Sequence, residues 1–385
     1  MKYEEKYKNS ISDYLGVKSY QIDLYWKGRV ALYALLKSFG IKDGDEIIIP
    51  AFTCVVVPNA IIYLNAKPIY VDVNEENLNT SLEQVKVKIS DKTKCIIIQN
   101  TFGLSSEVEE IVTYARGKEI LTIEDCTHGF GGTYNDQPNG TYCDAAFYST
   151  QWNKPFSTGV GGFSLLNNLE YRESLNKINE QLKTPSKKDR YMLASLIQAK
   201  KYLLHDSTYW TALRIYRNLS KSGLVVGSSR GEELQSAKMP KDYFLGSTRI
   251  QNKVGISELN RLNRILNRRK SNGLVLNEFL KNKGKWHYNK DDLNNHSFLK
   301  SPIFVKDKDA FRKKAEKAKV RLGDWFVSSI HPVLQEFELW FIKPEDYPIA
   351  NKLSQSILNL PTEDESLKKL INFLENNIDD LRNLE

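Results

Sequence analysis

The stretch "GRVALYALLKSFGIKDGDEIIIPA", residues 28 to 51, decides the fold. In its first half Ala31, Leu32, Leu35, Leu36 and Phe39 recur at helical spacing on one face, and Gly40 supplies a stop. In its second half "DEIIIPA" runs three isoleucines together, the pattern of a short strand buried on both faces. A helix feeding such a strand is the unit of a parallel sheet covered by helices.

The alternation continues outward. "VVVPNAIIYLN" has helical character with Pro58 near its start, and "KPIYVDV" reads as a strand. Thr80 and Glu83 in "TSLE" predict a capping box for a helix ending near Ile89. "KCIIIQN", "EILTIED", "DAAFYS" and "GGFSLLN" are further strands, with a helix across 107 to 116. Residues 169 to 235 change character, being polar and helix-favouring ("YRESLNKINEQLK", "RYMLASLIQAKKYLL"). A helix over 256 to 282 follows, and then "FLKSPIFV" and "DKDAFRKKAEKAKV" predict a smaller α+β unit. Two domains are expected: a large α/β domain over 1–254, with a helical insertion at about 169–240, and a small C-terminal domain over 255–385.

Composition narrows the function. The 385 residues are 41% hydrophobic and 26% charged, ordinary values for a folded chain that can bury a large core. No run approaches the roughly 18 uninterrupted apolar residues of a membrane span. "MKYEEKYKNSISDYLG" lacks the apolar core of a secretory signal, so a cytoplasmic protein is expected. Cys54, Cys95, Cys126 and Cys143 never approach CxxC spacing and read as reduced thiols, with no metal site implied. The net charge of +8 suits anionic small substrates without requiring nucleic acid. The most basic run, "RLNRILNRRK" (261 to 270), falls largely on the polar side of an amphipathic helix and carries no nucleic-acid reader motif.

In a parallel α/β sheet, ligands sit beyond the carboxyl ends of the strands. "EILTIED" delivers Asp125 to one such end, and "DAAFYS" delivers Ser149 to another. Lys154 lies five residues past Ser149 in "FYSTQWNKPFSTGVGG", among aromatics, hydroxyls and glycines, with no acid nearby in sequence. An acid at one strand end and a lysine past another are two parts of a pyridoxal phosphate (PLP) enzyme. By themselves they equally describe a strand-end cap and a solvated surface lysine.

Residues 28 to 166 resemble the DegT/DnrJ/StrS family of PLP-dependent sugar aminotransferases. The matching segments stand in the family's order: "GRVALYALLKSFGIKDGDEIIIPAFT", "NAIIYLNAKPIYVDV", "IEDCTHGFGGTYN" and "FYSTQWNKPFSTGVGG". The likeness continues more weakly through "QNKVGISELNRLN", "RLGDWF", "IHP" and "ILNLPT". It implies the aspartate-aminotransferase-like fold (PLP fold type I), with a mainly parallel sheet and a smaller α+β domain. Lys154 falls at the Schiff-base lysine, Asp125 at the acid facing the pyridine nitrogen, and His128 near the cofactor's 3-oxygen. Ser149 falls at the phosphate serine, Gly28, Arg29 and Val30 open the helix expected to cradle that phosphate, and Gly161 and Gly162 look like close-approach glycines. A homodimer is implied, with glutamate as amino donor and the C3 or C4 keto group of a nucleotide-linked sugar as acceptor.

Three positions depart from the family. Cys54 stands where many relatives place an aromatic that stacks on the ring, and Arg29 replaces a small or hydroxyl residue. The "G-x-N-x-R" element, through which a neighbouring subunit contacts the phosphate, is not recognisable in "KDYFLGSTRIQNK". Arg29 is therefore expected to supply a phosphate contact from within the subunit. Two rival readings are a PLP-dependent sugar dehydratase or deoxygenase, whose relatives carry histidine at the Lys154 position, and a PLP-binding regulator without turnover.

Overall fold

The computed structural model describes residues 2–203, 208, 211, 233–234, 236–364 and 366–382. Its centre is a seven-stranded sheet built from β1 (Ile22–Tyr25), β2 (Glu46–Pro50), β4 (Lys67–Val71), β5 (Thr93–Gln99), β6 (Leu121–Asp125), β9 (Ala145–Ser149) and β10 (Gly162–Leu166). The spatial order is β1-β10-β9-β6-β5-β2-β4. The five strands from β9 to β4 pair in parallel, while β10 runs antiparallel to β9 and β1 antiparallel to β10.

The isoleucine triplet of β2 shows why the sheet is covered on both faces. Ile47 and Ile49 pack in the cluster that holds Leu32, Leu35 and Leu36 of α2 (Gly28–Ser38). Ile48, on the other face, packs with Val108, Ile111 and Ala115 of α5 (Val108–Arg116). All three isoleucines are fully buried. Gly40 ends the α2 segment at φ +79°, a conformation costly for any residue with a Cβ. Between these elements, α3 (Val56–Ile62) follows the two-residue β3 (Thr53–Cys54), and α4 (Leu82–Lys86) precedes β5.

Two local expectations are corrected. The capping box of α4 is formed by Ser81 and Gln84, one residue later than Thr80 and Glu83, and the helix ends at Lys86. Thr80 instead donates its hydroxyl to the Asp72 carbonyl. The helix expected over 256–282 is two helices, here α8 (Arg249–Leu259) and α9 (Leu262–Asn282). They part at Asn260 and Arg261, which turns Leu262 fully into the cluster of Tyr7 and Ile11 from the N-terminal helix α1 (Lys2–Leu15). Within the 169–240 insertion, α6 (Arg172–Asn179) and α7 (Lys187–Leu203) are helical as expected, and much of the remainder lies outside the described residues.

Farther along, β11 (Lys300–Phe304) and β13 (Ile357–Pro361) pair antiparallel. Ile303 and Leu358 from this pair share a second core with Leu276 of α9, Phe311 of α10 (Lys308–Lys317) and Phe373 of α12 (Lys368–Glu375). One link from this region bears directly on the site. The short β12 (Ile330–His331) pairs in parallel with β3, setting Ile330 opposite Thr53 and His331 opposite Cys54.

Candidate active site at the carboxyl ends of the strands

Asp125 is the last residue of β6 and is buried. Its Oδ1 accepts the Thr127 amide at 2.9 Å. Burial pushes its carboxyl upward, opposed by the Thr127 hydrogen bonds and by the charge on Lys154. Burial likewise pushes the Lys154 ammonium down to about 8. The Cys54 and Asp125 side chains pull it back up, and Arg29 adds to the depression. A lysine at about 8 has roughly a tenth of its amine free at neutral pH, against well under a thousandth at the ordinary value. The two groups placed by sequence at separate strand ends thus form one electrostatic unit.

His128 is buried next to them. Its Nδ1 accepts the Phe102 amide at 3.3 Å, so a neutral ring carries its proton on Nε2. Burial first, and then Lys154, hold it well below the ordinary histidine range, so it works as a neutral imidazole. Its ring lies nearly parallel to Phe102 (5.9 Å, 16°) and to Trp325 (4.7 Å, 12°).

The N-terminus of α2 abuts the end of β9. A Cβ on Gly28 would come 2.8 Å from the Tyr148 carbonyl and 3.1 Å from the Ser149 Cβ. A Cβ on Gly162, the residue paired with Ser149, would come 2.3 Å from the Gly28 nitrogen. Two glycines therefore let the helix end seat against Ser149. The N-cap residue Lys27 makes no side-chain capping hydrogen bond to this helix, whose N-terminus is a ready position for an anion. The Val30 amide is already bonded to the Lys27 carbonyl at 3.1 Å, so an anion here would meet the Gly28 amide first. Gly161 is close-packed against the Thr150 and Thr158 hydroxyls, which steady the loop around Lys154.

Arg29 is buried, not solvated, and its Nη1 pairs with Glu233 at 2.5 Å. Its carbonyl accepts the Tyr243 hydroxyl at 2.9 Å, and the Glu233 carbonyl accepts the Asn59 amide at 3.0 Å. Cys54 is half-buried beside this group, its thiol pushed up by burial while the Val56 amide, Arg29 and Lys154 work against the rise.

Several residues at the site carried no assigned role in the sequence, although "RLGDWF" and "IHP" contain three of them. Trp325, Phe326 and His331 reach it from the C-terminal part of the chain. Burial chiefly depresses His331 to about 4, and its Nδ1 accepts the Val327 amide. Arg269, expected on the polar side of its helix, is buried and donates Nη1 to the Pro155 carbonyl at 2.8 Å, directly beside Lys154.

The sequence profile of the DegT/DnrJ/EryC1/StrS aminotransferase family matches residues 2–207 and 214–372, and the chain belongs to that family. GDP-perosamine synthase of Escherichia coli O157:H7 is 38% identical over 140 residues, 36% of this chain and 38% of the relative. The chain thus matches about two fifths of that relative's length. Among solved structures, an aminotransferase from Psychrobacter cryohalolentis superposes with a TM-score of 0.75 at 18% identity, covering 100% of this chain and 93% of the other. The E. coli GDP-4-keto-6-deoxy-D-mannose-3-dehydratase with bound hydrated PLP gives 0.70 at 17% identity, covering 97% and 91%. The fold, with its mainly parallel central sheet, is that of the PLP-dependent aminotransferases.

Proposed function

We propose that this chain is a PLP-dependent aminotransferase that moves an amino group, from glutamate as donor, to the C3 or C4 keto group of a nucleotide-linked sugar. The observation that carries this reading is the pairing of a depressed lysine, Lys154, with a buried acid, Asp125, beside a helix N-terminus seated on Ser149. These residues fit a phosphorylated aldehyde. Lys154 offers an amine, the Gly28 end of α2 and Ser149 offer a cradle that a Cβ would fill, and Asp125 offers a carboxylate for a ring nitrogen.

Bound there, PLP would supply an electron sink for breaking a bond at the amine-bearing carbon. This chain's residues supply the rest. Lys154 would hold the group covalently and then move a proton with Nζ, since a pKa of about 8 suits an amine that must both accept and release one. Asp125 would keep the proton on the ring nitrogen, and neutral His128 would orient the 3-oxygen. Gly28 and Ser149 would hold the phosphate end, the Val30 amide being committed to Lys27, with Arg29 adding positive charge balanced by Glu233. Cys54 would lie beside the ring.

Likeness to a sugar dehydratase supports the cofactor and fold without supporting dehydration, because an amine-bearing Lys154 stands where that reading needs histidine. A homodimer working in the cytoplasm on a surface-polysaccharide or secondary-metabolite precursor completes the proposal. Purified protein incubated with PLP and glutamate should convert the cofactor to its amine form, detected by absorbance, and release 2-oxoglutarate. Nucleotide-linked keto-sugars should then return it to the aldehyde form. Stable binding with no glutamate conversion would instead favour a non-catalytic binder.

A further inference from the structure

Trp325 lies between α10 and β12, distant in sequence from the loops after β6 and β9 that carry His128 and Lys154. Its indole nevertheless stacks on the His128 imidazole, with centroids 4.7 Å apart and planes 12° from parallel. The Lys154 Nζ sits 4.5 Å from the same indole's centroid. One aromatic plane therefore covers both the amine and the histidine.

The placement is built. The Trp325 amide donates to Asn359 Oδ1 at 2.9 Å, and the Trp325 carbonyl accepts from Asn359 Nδ2 at 2.7 Å. Asn359 in turn exchanges two backbone hydrogen bonds with Gly323, of 2.8 and 3.0 Å. The next residue, Phe326, is buried against Phe52 at 4.7 Å and Phe102 at 5.8 Å. The backbone is thus pinned on both sides of Trp325, while its side chain stays half-buried at the mouth of the site.

An indole in this position does two things. It keeps water off the Lys154 amine, and it presents a flat apolar face to any planar ring that approaches that amine. We propose that Trp325 is a positioning residue of the Lys154 site, its indole forming the aromatic wall against which the cofactor ring is held. This rests on Lys154 being the cofactor lysine. Cys54 at the strand-proximal side offers no such face, so the wall comes from the other part of the chain.

The full-length protein is titrated with PLP, and uptake is followed by absorbance from about pH 6 to 10, spanning the range in which a depressed lysine loses its proton. Wild type, Trp325→Ala, Trp325→Leu and Trp325→Phe are compared after circular dichroism shows them folded. Trp325→Ala should weaken PLP affinity about two- to tenfold, the worth of one aromatic pair. It should also move the pH midpoint of uptake upward from about 8, because burial is the main cause of the Lys154 depression. Asp125, Cys54, Arg29, His128 and His331 also face Lys154, and all of them stay in place. Trp325→Phe should restore affinity and midpoint. Trp325→Leu, which keeps bulk without an aromatic face, should hold the midpoint near wild type while binding PLP weakly. It is the decisive variant if the alanine form does not fold. Unchanged affinity in the alanine or leucine variant, or a phenylalanine variant no better than leucine, overturns the proposal. PLP captured in wild type by a lysine other than 154 overturns the underlying reading instead, whatever the Trp325 variants do.

Discussion

Two parts of the site are held by different physics. Asp125 and Ser149 end parallel strands, so sheet register fixes their separation, and Gly28 and Gly162 lock α2 against them with no room for a methyl group. Trp325 hangs on a loop held by side chains: Asn359 makes two hydrogen bonds to its backbone, and the neighbouring Phe326 packs against Phe52 and Phe102. The first part resists displacement as a unit. The second can shift its indole without disturbing a strand. Rigid strand ends suit groups that hold charge and move protons, while an adjustable wall suits shape. Substitutions should therefore divide into large losses of chemistry at the strand ends and small losses of affinity at the loop.

The largest effect is expected at Lys154. Lys154→Ala should slow the glutamate half-reaction by about 10⁴-fold, the upper range for losing a positioned acid–base group. Stopped-flow absorbance would read it, and a loss under tenfold would move the chemistry elsewhere. Next comes Arg29. Arg29→Ala would take from buried Glu233 the guanidinium that pairs with it at 2.5 Å, so urea unfolding should show destabilisation of up to about 3–5 kcal/mol. Arg29→Ala with Glu233→Gln should recover most of that. In this folded double variant, PLP affinity should still fall about tenfold if the guanidinium serves the phosphate, in line with a charged hydrogen bond. Unaltered affinity there would make Arg29 a purely structural cation.

Asp125→Asn should still bind PLP but transaminate about 100-fold more slowly, a few kcal/mol of transition-state stabilisation. Near-normal turnover would reduce Asp125 to a strand-end turn residue. The smallest effect belongs to Asn359→Ala, which frees the Trp325 backbone. PLP affinity should drop about threefold, within the worth of one aromatic contact, with the half-reaction rate nearly intact. A loss as large as that of Asp125→Asn would erase the distinction between the two regions.

The same contrast explains what the sequence made legible. The isoleucine triplet of β2 and the helical spacing in α2 are local patterns, so the covered parallel sheet could be read directly, Asp125 came with the end of β6, and Lys154 with the loop after β9. Neighbouring hydroxyls blurred the detail. Thr80 and Ser81 both qualify as caps, and the structure uses Ser81. The break at Asn260 was hidden because apolar spacing continues across it from Ile256 to Leu266 while the backbone turns. Glu233, which pairs with Arg29, lies 204 residues from it, and the side chain bonded to the Trp325 backbone comes from Asn359 on β13. Such contacts exist only once the chain has folded, and no local period announces them.

Burial of Lys154 also leaves a mark on stability. The unfolded chain keeps that proton up to about 10.5, while the folded chain releases it near 8. The unfolded state thus binds more protons between these values, and this lysine's cost to the fold is present below pH 8 and relieved as pH rises toward 10.5.

The site of cofactor attachment decides whether Lys154 is the reacting amine. Protein loaded with PLP should be reduced with borohydride, digested and mapped by mass spectrometry. A pyridoxyl group on Lys154, absent from Lys154→Ala and forming more readily as pH rises through about 8, is the expected result. A pyridoxyl group on a different lysine, or none on fully folded protein, would contradict it.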